Sequence, residues 1–391
     1  LEAPERNFMA QHHRLTPLAR DINLAVVGRM SDTEVVTYFA SLRWGNETEQ
    51  VCPKCGAIDT HYPRRRRRRS CHRPCGSWEE PTNPTWQCKH CQAIFSVTTG
   101  TLFDGTKLPL RTILNCAVLF LGPGNGASSV GISGTSGLAP MTTFLLEHRF
   151  REAMAADQPV KPFEGMVQMD GGYFGGKPRK SNQRQPKATR EQLQRRFGKE
   201  PIASDDDKPW KAMGMTQRNW QKMANKRVVL VVTDSNGQRG EGSRAVSVAV
   251  ARGGESAYAV GLMAKAHIAP GAIVFTDEAG AYTQLAREHE HYSVSHAKEY
   301  SNSEGVNDNH AEAFFSRMRR AEYGIYHGSR PLFLHFYACE AAWRHTHRRL
   351  RKSAMVKRLL GTALSLGPSP RLRGYYERRG RRAEVLIDSK A

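Results

Sequence analysis

Two cysteine pairs place the first hard constraint on this chain. Cys52-Pro-Lys-Cys55-Gly and Cys88-Lys-His-Cys91 each put two thiols on one tight turn. Two such turns brought together complete a tetrahedral thiolate site, and soft sulfur ligands at that spacing suit Zn²⁺. Four thiolates leave no open position, so the zinc is expected to be structural. Between the pairs lies a third, Cys71-His-Arg-Pro-Cys75. It could replace one knuckle, share a second ion with His61 or His90, or stay unliganded in an inserted loop. The remaining two of the eight cysteines, Cys116 and Cys339, stand alone in apolar or helical surroundings and read as small buried hydrophobes.

Ending one residue short of Cys71 is a run of six arginines: Arg64, Arg65, Arg66, Arg67, Arg68 and Arg69. Such a run cannot enter a core, and guanidinium pairs bidentately with phosphate. The whole chain shares the bias, with 58 Lys and Arg against 37 acids and a net charge of +21. A surplus of that size points to a polyanion, and nucleic acid is the expected partner through phosphate neutralisation. The longest apolar run, "AVLFLG" at 117–122, is too short to cross a bilayer. With no leader segment in view, a cytosolic, DNA-associated protein is expected and no membrane partner.

Periodicity divides the 391 residues into five regions. Residues 1–50 are a helical lead-in, where "SDTEVVTYFASLRW" opens on a Ser/Asp cap. Residues 51–106 hold the zinc ribbon with its arginine-rich loop. Residues 107–156 are helical and broken by "GPGNG" and "GISGTSGLAP", with Pro140 suited to a first helical turn. This pattern predicts a helix-turn-helix-like DNA-binding region that ends on Arg149 and Arg151. Residues 157–350 change to β character. "GMVQMD" (165–170), "RVVLVVTD" (227–234) and "RAVSVAVA" (244–251) read as strands, with "DSNG" as the hairpin turn between the last two. A helix from 258, a strand at 271–277, a helix from 279, a short strand "YSVSH" and a long helix follow. The predicted fold class is α/β, a mixed sheet of the ribonuclease-H type. A polar stretch at 177–226 lacks apolar alternation and reads as an insertion, with Lys177, Arg179 and Lys180 in a basic patch. After 326 the chain stays helical and basic, and residues 351–391 read as a basic C-terminal tail. The density of charge beside Trp343, Tyr375 and Tyr376, with Arg348 and Arg349, points to DNA-backbone contact.

Within the α/β region, Asp170 and Asp277 close strand patterns, so first-strand and fourth-strand carboxylates can meet on one side of a sheet. Glu312 on the later helix can join them. Three carboxylates suit two Mg²⁺ or Mn²⁺ ions roughly 3.5–4 Å apart, the arrangement for in-line phosphoryl transfer. Other acids have local explanations. Asp234 opens a turn, Asp205, Asp206 and Asp207 sit in the polar stretch, Glu278 can cap a helix, and Glu340 can pair with Arg344 one turn on. Glu312 also fits a capping box with Asn309. However, Arg319 lies two turns along the same face, opposite the apolar row Ala311, Phe314, Met318 and Ala321. A cap does not account for that arginine, whereas a cation beside a phosphate does. Arg320 adds to the charge.

The residues "LRWGNETEQVCPKCG", "WQCKHCQAIFSVTTGTLF" and "LPLRTIL", with "MDGGYFGGK", "VFTDEAGAY", "NHAEAFFSRMRRAEYGIYH" and "ACEAAWRHTHRR", occur in this order over about 35–376. In these motifs the chain resembles the IS1595 (ISXO2-like) family of bacterial DDE transposases. The resemblance implies an N-terminal zinc ribbon, a ribonuclease-H-like domain and Asp170, Asp277 and Glu312 as the catalytic acids. It makes Arg319 the basic residue seven positions after the third acid. Some relatives carry Asn in place of that acid, so Asn309 is a candidate metal contact as well as a cap. Where relatives often have an acid directly after the first Asp, this chain has Gly171. The implied activity is metal-dependent cleavage at transposon terminal inverted repeats and strand transfer into target double-stranded DNA, by a homodimer or larger assembly in a bacterial, nucleoid-associated setting. A nuclease of the same fold without joining activity, or a non-catalytic DNA-binding descendant, are the rival expectations.

Overall fold

The computed structural model describes residues 13, 16–46, 49–58, 61–64, 66–67, 78–79, 83–175, 216, 225–236, 243–252, 254–294, 309–372, 374–375 and 383–388. Cys71, Cys75, Arg65, Arg68, Arg69, Lys177, Arg179, Lys180, Tyr376 and nearly all of the 177–226 stretch lie outside the described residues.

The lead-in forms α1 (Leu24–Arg29) and α2 (Asp32–Trp44). A capping box starts α2: the Glu34 N–H donates to Ser31 Oγ at 3.1 Å, and the Ser31 N–H donates to Glu34 Oε2 at 2.6 Å. Gly45 ends it at φ +77°, a left-handed position suited to glycine. From the last turn of α2, Arg43 donates to the carbonyls of Ser96, Val97 and Thr99 at 2.6–2.9 Å, joining helix to ribbon. The ribbon is an antiparallel sheet of β1 (His61–Arg64), β4 (Thr85–Cys88) and β5 (Ile94–Ser96) in the order β1-β4-β5. A separate pair, β2 (Arg66–Arg67) and β3 (Trp78–Glu79), crosses the arginine loop.

Three helices follow, α3 (Leu110–Leu121), α4 (Ser129–Ser136) and α5 (Pro140–Ala156). The apolar run at 117–122 is the buried stretch of α3, with Ala117, Val118, Phe120 and Leu121 all in the core. No helix among the described residues is long and apolar enough to cross a membrane.

A five-stranded sheet then forms from β6 (Met166–Gly175), β7 (Lys226–Asp234), β8 (Val246–Ala251), β9 (Ile273–Asp277) and β10 (Glu290–Val294) in the order β10-β9-β6-β7-β8. β6, β7 and β8 are antiparallel neighbours, while β9 and β10 run parallel to β6. The helices beside it are α6 (Ala257–His267), α7 (Asn309–Ala321) and α8 (Pro331–Thr346). β7 is apolar on both faces because both are covered. Val228, Leu230 and Val232 meet α6 residues Val260 and Met263, and Val229 and Val231 meet Phe314, Phe315 and Leu334 of α7 and α8. The segment at 280–287, expected to be an α-helix, is a 3₁₀ helix.

The expected basic tail is not a tail. Residues Lys352–Ser365 form α9, whose Met355, Val356, Leu359, Leu360, Ala363 and Leu364 enter the same core as α3 and α5. Its charges, including Lys357 and Arg358, lie on the outer face, so the basic composition concealed an apolar stripe. Further on, the Ile387 N–H donates to Val250 O at 2.8 Å and Glu384 pairs with Arg227 at 2.7 Å. Residues 383–388 thus run along the outer edge of β8, which has no other strand partner among the described residues.

A buried charge network joins the helices to the sheet domain. Arg151 on α5, 1% exposed, donates to Glu340 Oε2 on α8 at 2.7 Å and to Glu147 Oε2 at 3.2 Å. Arg344 donates to Glu340 Oε1 at 2.8 Å, as the i,i+4 spacing predicts, and also to the Phe120 and Pro123 carbonyls at 2.6 and 3.1 Å. Burial raises the Glu340 carboxyl, but Arg151 and Arg344 outweigh it and hold that group below the usual carboxylate range. Arg151 is therefore a structural cation and not a DNA contact. Replacing Glu340 by Ala leaves guanidinium groups buried without their carboxylate, and the expected loss is about 3–5 kcal/mol, read as a lower urea midpoint.

Candidate active site and metal centre

Parallel pairing brings the two strand aspartates level. Val167 pairs with Val274 and Gln168 with Phe275, so two further residues along each strand give Asp170 and Asp277 on the same face. β6 does not stop at Asp170 as its pattern suggested; it stays paired with β7 to Gly175. The β6–β9 ladder ends at Gln168–Phe275, so the two aspartates flank the notch where β6 outruns its parallel neighbour. Asp277 Oδ1 accepts the Ala279 N–H at 3.0 Å, an Asx turn that leads into the 3₁₀ helix. Asp170 Oδ1 accepts the Gly171 N–H at 2.6 Å.

α7 lies over this face. Its His310 N–H donates to Gln168 Oε1 at 3.0 Å, and Phe315 packs on Phe174 with ring centroids 5.8 Å apart. A Cβ on Gly172 would stand 2.8 Å from the Phe315 ring, so the absence of a side chain there lets the helix approach. Glu312 lies on the turn between His310 and Phe315 and is exposed. Ala311, Phe314, Met318 and Ala321 are buried as their spacing predicts. Glu312, Ser316, Arg319 and Arg320 share the exposed side and line a shallow cleft with Tyr323. The helix includes Asn309 as its first residue, and the residues before it lie outside the described ones.

One acid near this notch was not anticipated. Glu255, directly before the Ser256 cap of α6, has its carboxyl pushed up to about 7 by burial and by the nearby charges of Asp170 and Asp277. The Tyr282 hydroxyl donates to its Oε2 at 3.3 Å. Sequence offered no signal for this, because Glu255 sits in a turn and carries no strand or helix periodicity.

The second site is sulfur. Cys52, Cys55, Cys88 and Cys91 hold their Sγ atoms within 4.8 Å of one another, with Cys52–Cys91 at 3.6 Å and Cys55–Cys88 at 3.7 Å. A zinc tetrahedron with Zn–S near 2.3 Å has edges of roughly 3.8 Å, so the four thiols fit a structural Zn²⁺. Both knuckles close alike: the Cys52 N–H donates to Ala57 O and the Gly56 N–H to Cys52 O, while Cys88, Ala93 and Gln92 repeat the pattern at 2.9–3.0 Å. Gly56 and Gln92, each just after a second cysteine, have φ +73° and +58°. Trp44, Trp86 and Phe95 pack around the thiols. His61 is not available as a ligand for a second ion through Nε2, which donates to Gln50 O at 2.8 Å. Cys116 and Cys339 are buried in the helical and sheet cores, as expected.

The ISXO2-like transposase domain matches residues 162–346, and the transposase zinc-ribbon domain of the same family matches residues 30–78. The chain thus carries an ISXO2-like transposase domain. No curated protein and no solved structure matches it. The zinc-ribbon match stops at 78, short of the Cys88 knuckle that meets Cys52 and Cys55 in space.

In this transposase-family chain the expected DNA-contact residues divide by burial. Arg319, Arg320 and Arg349 are exposed, Arg149 is half-buried, and Arg64 lies on exposed β1. Arg66 and Arg67 hold the β2 ladder with Trp78 and Glu79. Arg348 turns inward, donating to His345 O at 2.8 Å and Ser243 O at 2.6 Å. Trp343, beside the charges expected on DNA, turns inward: it is 2% exposed and its Nε1 donates to Asp157 at 2.7 Å. Substituting Cys88 by Ser is expected to abolish stoichiometric zinc, measured by elemental analysis of the purified protein, and to expose the indole of Trp86, seen as a red-shifted emission.

Proposed function

We propose that this protein is a DNA transposase whose catalytic domain has the ribonuclease-H-like fold. Three antiparallel strands followed by two parallel ones, in the order β10-β9-β6-β7-β8, support that fold. The observation that carries the function is the level placement of Asp170 and Asp277 on parallel strands, beneath the helix that bears Glu312. In this reading those three carboxylates hold Mg²⁺ or Mn²⁺, which when bound supplies an activated water or 3′-hydroxyl and stabilises the leaving oxygen. Oxygen donors suit those ions, whereas the thiolates are reserved for zinc.

The protein's own groups perform the rest. Arg319, two turns beyond Glu312 on the same exposed face, contacts the phosphate next to the reacting one, with its guanidinium about 6.0 Å from the Phe174 and 5.9 Å from the Phe315 ring centres. Arg320 extends the cationic track. The zinc ribbon, the arginine loop and the α3–α5 helices bind the terminal repeats, supported by the net charge of +21. Both end cleavage and strand transfer are in-line phosphoryl transfers at one site, and two ends held together imply a homo-oligomer on DNA.

Asp170→Asn and Asp277→Asn are each expected to abolish Mg²⁺-dependent nicking and strand transfer on end-containing duplexes while leaving gel-shift affinity intact. Retention of full cleavage by either variant would overturn the assignment. Pre-cut ends that are never joined to target by the intact protein would reduce the function to a nuclease.

A further inference from the structure

The stretch after β8 carries a carboxylate to the notch between β6 and β9 from the side opposite α7. Val167 and Met169 of β6 face the α6 core, and Gly171 and Tyr173 continue that row by alternation. The Tyr173 hydroxyl accepts the Glu255 N–H at 3.5 Å, which anchors the turn over this row. The Glu255 carboxyl then fills the space beside Gly171: a Cβ at 171 would stand 2.5 Å from its carboxyl carbon. From beyond β9, the Tyr282 hydroxyl at 3.3 Å fixes its orientation. Among the described residues no lysine or arginine pairs with Glu255, and its charged neighbours are Asp170 and Asp277.

The charges of Asp170 and Asp277 act on the Glu255 carboxyl, and a half-buried site strengthens that repulsion. Two features hold the Glu255 carboxyl there: a residue without a side chain at 171, and Tyr282, 1% exposed, whose hydroxyl donates to it. A divalent cation in the notch relieves the repulsion.

We propose that Glu255 is a further carboxylate ligand of the cation site made by Asp170 and Asp277, entering from the α6 side of the sheet while α7 closes the other. This rests on the reading of the two aspartates as cation ligands. It also gives Gly171 a role: the position next to the first aspartate is empty because a distant residue supplies the carboxylate there.

The test is Mn²⁺ binding to the full-length, zinc-loaded protein without DNA, followed by the electron paramagnetic resonance signal of unbound Mn²⁺. Glu255→Gln is expected to weaken binding about 10–100-fold with melting temperature and zinc content unchanged, and Glu255→Asp to restore part of it. Gly171→Ala, which pushes the Glu255 carboxyl away without removing any acid, is expected to weaken binding in the same direction. Binding that Asp170→Asn abolishes but Glu255→Gln and Gly171→Ala leave within about twofold of the intact protein would overturn the Glu255 assignment alone. Mn²⁺ uptake that is absent, or indifferent to Asp170→Asn, would overturn the cation-site reading and this proposal with it.

Discussion

The contact on which the arrangement of the two halves depends is the buried carboxylate of Glu340 between Arg151 and Arg344. Arg151 belongs to the helical module, Glu340 to the helix packed on the sheet, and Arg344 reaches the last carbonyls of α3. Ions this deeply buried cost several kcal/mol each to desolvate, so they are tolerated only where each finds its partners. The requirement is geometric: slide α8 along α5 and both guanidinium groups lose their carboxylate. The rings of Phe120, Tyr326 and Tyr337 around Arg151, with centroids 4.5–5.4 Å from its guanidinium carbon, complete the enclosure. Gly126 makes room for it, because at φ +111° a side chain there would collide with the Tyr326 hydroxyl. Once α8 is fixed, so is the core it shares with α7, and with it the height of Glu312 above the sheet.

The carboxylate notch depends on a different device, a pair of adjacent glycines on β6. Gly172 lets the Phe315 ring press down on one face, and Gly171 admits the Glu255 carboxyl on the other. Glycine weakens a strand, since it adds backbone freedom and no packing area. Pairing with β9 has ended at Gln168, but the ladder with β7 runs on to Gly175 and absorbs the loss. The ribbon solves a separate problem. Its core is Cys52, Cys88 and Phe95 with a few aromatic neighbours, too small to hold a fold by burial alone, and four thiols within reach of one ion supply the missing cross-link.

Much of this was legible in the residues. Spacing identified the two cysteine knuckles, because a C-x2-C turn is a local geometry and two of them have few other uses. Alternation located the strands, and the i, i+3, i+4 rule separated the buried row of α7 from the exposed row of Glu312 and Arg319. The Glu340–Arg344 pair was likewise a neighbour relation along one helix. Readings that relied on composition fared worse. Arg151 looked like a DNA contact and is buried, Trp343 stood beside the charges expected on DNA and is a core donor, and the basic segment after 350 hides the apolar face of α9. A charge or an aromatic ring states what a side chain can do but not which side of an element meets water.

Sequence by itself determined the family, the order of strands and helices, the sulfur ligands and the identity of the two strand aspartates, since each is written in short-range spacing. Tertiary structure alone decided that Asp170 and Asp277 lie level, that Arg151 and Glu340 meet across 189 positions, and that the Glu255 carboxyl fills the space beside Gly171. Those relations arise from strand pairing and packing between distant segments. Their free energies depend on burial and on the distance between charges, and neither quantity exists until the chain has folded.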